Sequence, residues 1–307
     1  MLVITFIYSQ DRCMDLQQMR YVIALAEERN FTKAAARCFV VQSALSHQIK
    51  SLEKELGVML FARTSRRVEL TAAGEAFLPS ARASLESAER AVIDAAAADG
   101  KIRGRLRMGV IPTVTAIDIP VTLKQFHRAY PEVQIALQVA GSDEIEAVIR
   151  AGELDIGLLG LPERREPQGV AWRLLATDRL VAVTSSEHQL AGRHEISLGD
   201  LVEQVFADFP AGTAGRAQSD LAFTAAGIHR EVAFEAGATD HIIGLIRQNL
   251  AMTLLPERYI QPDPQLALIP VLDGPSRSEY LAWSNFNPTP AAQAFLDTLS
   301  SAHSCGG

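Results

Sequence analysis

Residues 34–57 read AAARCFVVQSALSHQIKSLEKELG, and they decide the amino-terminal architecture. Three alanines, Ala34 to Ala36, let two helix backbones approach closely. A short apolar break at Phe39-Val40-Val41 follows. Beyond it Leu45, Ile49, Leu52 and Leu56 recur at i, i+4, i+7 and i+11, the spacing of one helix face. Gly57 stands where a helix ends in a left-handed residue. The spacing predicts a helix from about Ser43 to Leu56 that crosses a preceding helix in a helix-turn-helix unit. Its other face carries Gln42, Ser43, Ser46, His47 and Lys50. Those side chains can reach base edges and phosphates in a major groove. The same pattern also fits an ordinary surface helix with a solvated face.

Upstream, Asp15 is placed to cap a helix with Leu16, Met19, Val22, Ile23 and Ala26 on one side. That helix is expected to end near Arg29-Asn30. A second helix begins at Phe31-Thr32, with Thr32 as its expected cap. Downstream, Phe61 to Thr71 reads as strand, basic turn and strand. Arg63, Arg66 and Arg67 on such a hairpin form a wing able to meet phosphates or the adjacent minor groove.

Charge supports this division. The chain has 307 residues and a net charge of −7. Between Arg29 and Arg67 eight Lys and Arg face only Glu53 and Glu55, a local net of +6. A basic block on an acidic protein points to one small region that meets a polyanion. Length suits two or three domains. The cysteines, Cys13, Cys38 and Cys305, make neither a disulfide framework nor a zinc pattern, and a reducing cytoplasm is the simplest setting. No long uncharged apolar run suggests a membrane span. Residues 1–13 are expected to be a non-native or disordered extension, without the features of a signal peptide.

Five blocks then carry a resemblance. They are Phe31-Thr32-Lys33-Ala34-Ala35, Val41 to Ile49, Leu52 to Gly57, Leu60-Phe61-Ala62-Arg63, and Leu70-Thr71-Ala72-Ala73-Gly74. In this order and spacing they resemble the DNA-binding region of LysR-type transcriptional regulators. Ser43 departs from a proline common in the family, and His47 from an arginine, which makes His47 a shorter phosphate contact. The resemblance implies a winged helix-turn-helix at 14–71. It also implies a linker and dimerisation helix at 72–99. Leu78, Leu85 and Val92, with Ala81, Ala88 and Ala95 three residues after each, independently suggest a pairing seam with small residues. Pro79 inside that helix is expected to bend it without stopping it.

Beyond Gly104 the pattern alternates. Strands are expected at Leu106 to Val110, Val133 to Val139 and Asp155 to Leu159, with helices over Val114 to Tyr130 and Glu144 to Ala151. That order predicts a parallel sheet. A second series runs through Trp172 to Ala176, Leu180 to Thr184, Val205 to Asp208, Val232 to Phe234 and Met252 to Leu255, with helices near Arg216 to Ala226 and Thr239 to Asn249. The overall class is α/β. The resemblance implies a two-lobed effector domain of periplasmic-binding-protein type over 104–303. Lobe one takes 104–161 and 267–303, and lobe two takes 162–266, so the chain crosses near Leu161 and returns near Ala267.

Ligands of open parallel sheets sit beyond the carboxyl ends of strands. Thr113 and Thr115 are expected at a helix start, where free N–H groups suit an anion. Ser142, Phe209, Pro210 and Asp240 complete the expected effector contacts. Thr113, Ser142 and Asp240 could equally be mere caps. The expected partners are operator or promoter DNA, RNA polymerase, a second copy in a homodimer or homotetramer, and a small effector such as a carboxylate. A polar neutral or aromatic effector remains open. No cofactor, metal or membrane is expected. The histidines do not cluster, and no nucleophile–base spacing supports the rival reading as an enzyme. A solute-binding protein is disfavoured by the basic amino-terminal block.

Overall fold

Asp15 opens the first helix, α1 (Leu16–Glu28), through a reciprocal cap. Its carboxylate accepts from Gln18 N at 2.7 Å, and Gln18 Oε1 accepts from Asp15 N at 3.2 Å. The computed structural model describes residues 14–63, 68–98, 101–285 and 288–304. The expected extension 1–13, Asp99-Gly100 and the hairpin tip with Arg66 and Arg67 lie outside the described residues, as do Cys13 and Cys305. The chain divides into two units, 1–95 and 96–307.

In the first unit, α2 (Phe31–Arg37) is capped two residues before the expected position. Asn30, not Thr32, holds the position, and its Oδ1 accepts from the N–H groups of Thr32 and Lys33 at 2.9 and 3.0 Å. Both residue types cap well, so spacing alone did not separate them. The turn bends at Phe39, whose φ is 56°. The third helix, α3 (Gln42–Leu56), ends at Gly57 with φ 74°, a conformation that costs glycine little. Leu25, Ala34, Leu45, Ile49 and Leu52 are fully buried in one cluster. Leu56 and Leu16 stay exposed at the helix ends.

A buried carboxylate ties α3 to the wing. Glu53 accepts from Leu60 N and Phe61 N at 3.0 and 3.1 Å, so an acid in the basic block is structural. Strands β1 (Phe61–Arg63) and β2 (Val68–Leu70) pair antiparallel, with Phe61 opposite Leu70. Thr71 Oγ1 donates to Met59 O and accepts from Gly74 N. Helix α4 (Ala72–Ala98) then runs through Pro79 without a stop. A side chain at Gly74 would put its Cβ 2.2 Å from the Leu60 carbonyl oxygen. Gly74→Ala is therefore expected to cost the first unit about 3 kcal/mol, the upper part of the overpacking range, because the obstacle is backbone. Calorimetry should show that unit's transition falling while the 96–307 transition stays; an unmoved first transition would refute the clash.

The second unit begins with β3 (Gly104–Val110), α5 (Ile119–Ala129), β4 (Val133–Val139), α6 (Ser142–Arg150) and β5 (Ile156–Pro162). Strand β3 lies parallel between β4 and β5. Every residue of β5 is buried, as a central strand requires. At the sheet's edge β4 leaves Leu137 and Val139 exposed. Helix α5 starts at Ile119, capped by Asp118, and not near Val114 as expected.

The two strands expected at 172–176 and 180–184 are one, β6 (Ala171–Ser185). After the short 3-10 turn Leu198–Leu201 come β7 (Val205–Asp208), α7 (Ala214–Ala225), β8 (Glu231–Glu235), α8 (Thr239–Arg247), β9 (Thr253–Pro256), β10 (Leu266–Pro270), β11 (Ser276–Trp283) and α9 (Pro290–Ser304). The first half of β6 pairs antiparallel with β11, from Ala171 to Arg179. Its second half pairs with β9 and β10. The passage between lobes therefore lies inside β6 near Arg179-Leu180, not at Leu161. The return follows β10, because Leu266 and Ile269 belong to the cores around β7 and α8. Lobe one has its own core around Leu106, Phe126 and Phe295, and a second cluster around Ile145, Leu159 and Leu161 also takes in Ala214 of α7.

Candidate functional site

Two sites emerge, one in each unit. On α3 the apolar stripe turns inward, which leaves Gln42, Ser43, His47 and Lys50 exposed and Ser46 half-buried. Thr32 and Lys33 are exposed at the start of α2. Lys33 and Lys50 have no acidic partner among the described residues, so their charge is open to a phosphate. Arg37 differs. It stands 2.6 Å from Glu27, which also holds Arg82 of α4 at 2.6 Å. That part of the basic block is spent on joining helices. Arg63 lies in β1, and its side chain, like Arg66 and Arg67, falls outside the described residues.

Cys38 is half-buried, and burial pushes its thiol above the ordinary value, opposed by Arg37 and Arg20. A raised thiol is a poor nucleophile. In the seam expected on α4, Leu78 packs into the first unit's own core and Ala81 is buried. Leu85 and Ala88 are half-buried, whereas Val92 is 71% exposed and Ala95 is exposed. The seam is thus shared between an inward beginning and an uncovered end.

The second site is a cavity of about 240 Å³ between the lobes. Its walls are Ile111-Pro112-Thr113 after β3, Val139 to Ser142 at the end of β4, Gly160 of β5, Phe209-Pro210 after β7, Thr213, Gly215 and Gln218 of the α7 start, and Gly237 after β8. Four of these segments sit at the carboxyl ends of parallel strands. Of the expected contacts, Thr113, Ser142, Phe209 and Pro210 lie on this wall. Thr115 and Asp240 do not. Asp240 is exposed on the first turn of α8.

The hydroxyls on the wall are largely engaged. Ser142 Oγ accepts from Gly160 N and donates to Gly160 O, both at 3.0 Å, so it stitches α6 to β5 and does not cap its helix. Thr213 Oγ1 donates to Pro210 O and accepts from Arg216 N, capping α7. Gln218 Nε2 donates to Gly160 O at 3.1 Å. No ionisable side chain is among the described lining residues.

The charges stand just behind the wall. Arg277 of β11 is 1% exposed. It donates to Thr113 Oγ1 at 2.8 Å, to Thr113 O at 2.9 Å and to Thr115 Oγ1 at 3.1 Å, and it pairs with Glu279. Asp178 of β6 lies 3.7 Å away. The Glu279 carboxylate accepts from Thr115 N and Ala116 N at 3.0 to 3.1 Å. Burial pushes the Arg277 guanidinium below its ordinary value, opposed by Glu279 and Asp178. Thr113 and Thr115 therefore do not sit at a free helix start. They sit on a loop fastened by a buried ionic cluster.

Lobe two uses the same device. Asp208 Oδ1 accepts from Phe209 N at 2.7 Å, and Arg230 stands 2.7 Å from Asp208 Oδ2. The Arg230 guanidinium lies over the rings of Phe206 and Phe223. Burial pushes the Asp208 carboxyl above its usual range, opposed by Arg230. Arg216 donates to Phe209 O at 3.2 Å. Sequence reasoning missed Arg277, Glu279, Asp178 and Arg230. One signal was present: Arg277 and Glu279 at i, i+2 put opposite charges on the same face of one strand.

Among the described residues no His, Cys, Asp and Glu group could hold a metal ion, and no helix is long and apolar enough to cross a membrane.

Comparison with known proteins gives two family matches. "Bacterial regulatory helix-turn-helix protein, lysR family" matches residues 16–75, and "LysR substrate binding domain" matches residues 99–304. The chain is 38% identical over 200 residues to the HTH-type transcriptional regulator ShiR of Corynebacterium glutamicum, covering 64% of this chain and 66% of that one. It is 30% identical over 288 residues to the uncharacterized HTH-type transcriptional regulator YnfL of Escherichia coli, covering 92% and 96%. Among solved structures it resembles full-length CbnR complexed with its target DNA, with a TM-score of 0.70 and 25% identity over 94% of this chain and all of that one.

Proposed function

The chain belongs to the LysR family of transcriptional regulators, and from that premise we propose how its residues divide the work between operator and effector. It is a DNA-binding regulator with an effector-binding domain, not an enzyme, and regulators of this family act as oligomers. Helix α3 enters the major groove, with Gln42, Ser43, Ser46 and His47 toward base edges. Thr32, Lys33, Lys50, Arg63, Arg66 and Arg67 hold phosphates. The uncovered end of the α4 seam, from Leu85 to Ala95, meets a second copy. RNA polymerase is a further partner, and the working compartment is the cytoplasm, where the chromosome is.

The effector occupies the cavity between the lobes, against Thr113, Ser142, Phe209 and Pro210. One observation carries this reading: the cavity is walled by the segments that follow β3, β4, β7 and β8, where open parallel sheets place ligands. A ligand there changes the lobe arrangement only if it binds one arrangement better than the other. The test fills the space. The direction of a side chain at Gly141 is open, with no atom within 4 Å of its Cβ. In a thermal-shift screen of carboxylates, amino acids and aromatics, every compound that stabilises the wild-type chain should fail to stabilise Gly141→Leu. Hits that survive the substitution would place the effector elsewhere.

A further inference from the structure

Among the three helices of the reading head, α3 is the one whose first turn lacks a side-chain cap. Asp15 caps α1 and Asn30 caps α2. Val41 holds the same position on α3, with an extended backbone and no side-chain hydrogen bond. Valine is among the poorest residues at that position, and serine, threonine, asparagine and aspartate are the best. The Val41 side chain is also 67% exposed. One position thus carries two local costs, a missing cap and a branched apolar group in water. Costs of this kind concentrate where function demands the residue.

The neighbours indicate the demand. Gln42 and Ser43 follow directly and are exposed, and so are Ala44 and His47 in the next turn. The first residues of a recognition helix are those that reach base edges. Besides hydrogen-bonding groups, the major groove offers one apolar feature, the thymine C5-methyl, which is read by apolar contact. Valine's branched Cβ restricts χ1, so its two methyls are set before binding.

We propose that Val41 is a specificity-determining residue that reads a thymine methyl in the operator's major groove, beside the hydrogen-bonding positions Gln42 and Ser43. The proposal rests on the DNA-facing assignment of α3. Its partner is thymine in duplex DNA. Cytosine carries only a hydrogen at C5, and it presents an amine where thymine has the O4 acceptor. The bare first turn of α3 has a second use, since unclaimed N–H groups can hold a phosphate. That use would make binding tighter on every sequence alike.

The test uses the full chain and an operator that the wild type selects from random duplexes. Each thymine is replaced in turn by uracil, which removes only the methyl. Wild-type binding should weaken about fivefold at one thymine per half-site, the value of roughly one buried methyl. With Val41→Ala and Val41→Ser that penalty should disappear. Val41→Ser should also raise the Tm of the first unit, because it restores a cap, so the lost discrimination cannot be misfolding. The proposal is overturned if no uracil weakens the wild type, or if Val41→Ser keeps the penalty. It is also overturned if Val41→Ser weakens all duplexes equally, the mark of phosphate docking. Failure to select any sequence would instead overturn the DNA-facing reading of α3, and this proposal with it.

Discussion

Arg277→Met is expected to destabilise the effector-binding unit by about 3–5 kcal/mol, the cost of removing one partner from a buried ion pair. The guanidinium is 1% exposed, and Glu279 is also buried. Without Arg277, Glu279 and Asp178 face each other with no compensating charge. The loss is larger than for a surface pair because the Glu279 carboxylate cannot turn to water. For a unit of this size the transition should fall by about 10 °C. Arg277→Met combined with Glu279→Gln should recover part of it, since the second change removes the uncompensated charge. Thr113 would lose the two bonds that Arg277 donates to it, so ligand-induced thermal shifts should shrink even well below the transition. A Tm within 2 °C of wild type would show that the cluster is solvated and not what fastens the cavity wall.

Lys50→Ala combined with Arg66→Ala and Arg67→Ala is expected to weaken operator binding by about two orders of magnitude near 0.15 M salt. Each phosphate contact contributes about −0.9 to the slope of log K against log salt, through released counterions. Losing three should make the slope shallower by about 3. The order of preference among operator sequences should change less than the affinity, because phosphate contacts position the protein and base contacts specify the site. The Tm of the first unit should stay as in wild type, which separates this loss from misfolding. An unchanged salt slope would remove Lys50 and the hairpin arginines from the interface.

The elements that local chemistry controls were legible. The Asp15 cap, the Leu45–Ile49–Leu52 stripe and the Gly57 stop all depend on residues within a turn or two. So did the β3–β5 alternation, and the charge contrast between 29–67 and the rest. Errors arose where a distant partner overrode a local pattern. The sequence from Val114 reads as the start of a helix, yet 113–118 is a loop, because Thr115 and Ala116 give their N–H groups to Glu279. Thr177-Asp178-Arg179 looked like a turn between two strands. It continues one strand because Ser278 and Arg277 of β11 stand beside it.

By itself, then, the order of residues determined the helix-turn-helix, the wing strands, two α/β series and the place where a polyanion would be met. Tertiary structure alone decided which hydroxyls on the cavity wall are free, where the chain passes between lobes and which charges are buried. The reason is reach. A cap or a stripe is settled within a few positions, whereas Arg277 and Thr113 are 164 residues apart and meet only when β3 and β11 have both paired with β5.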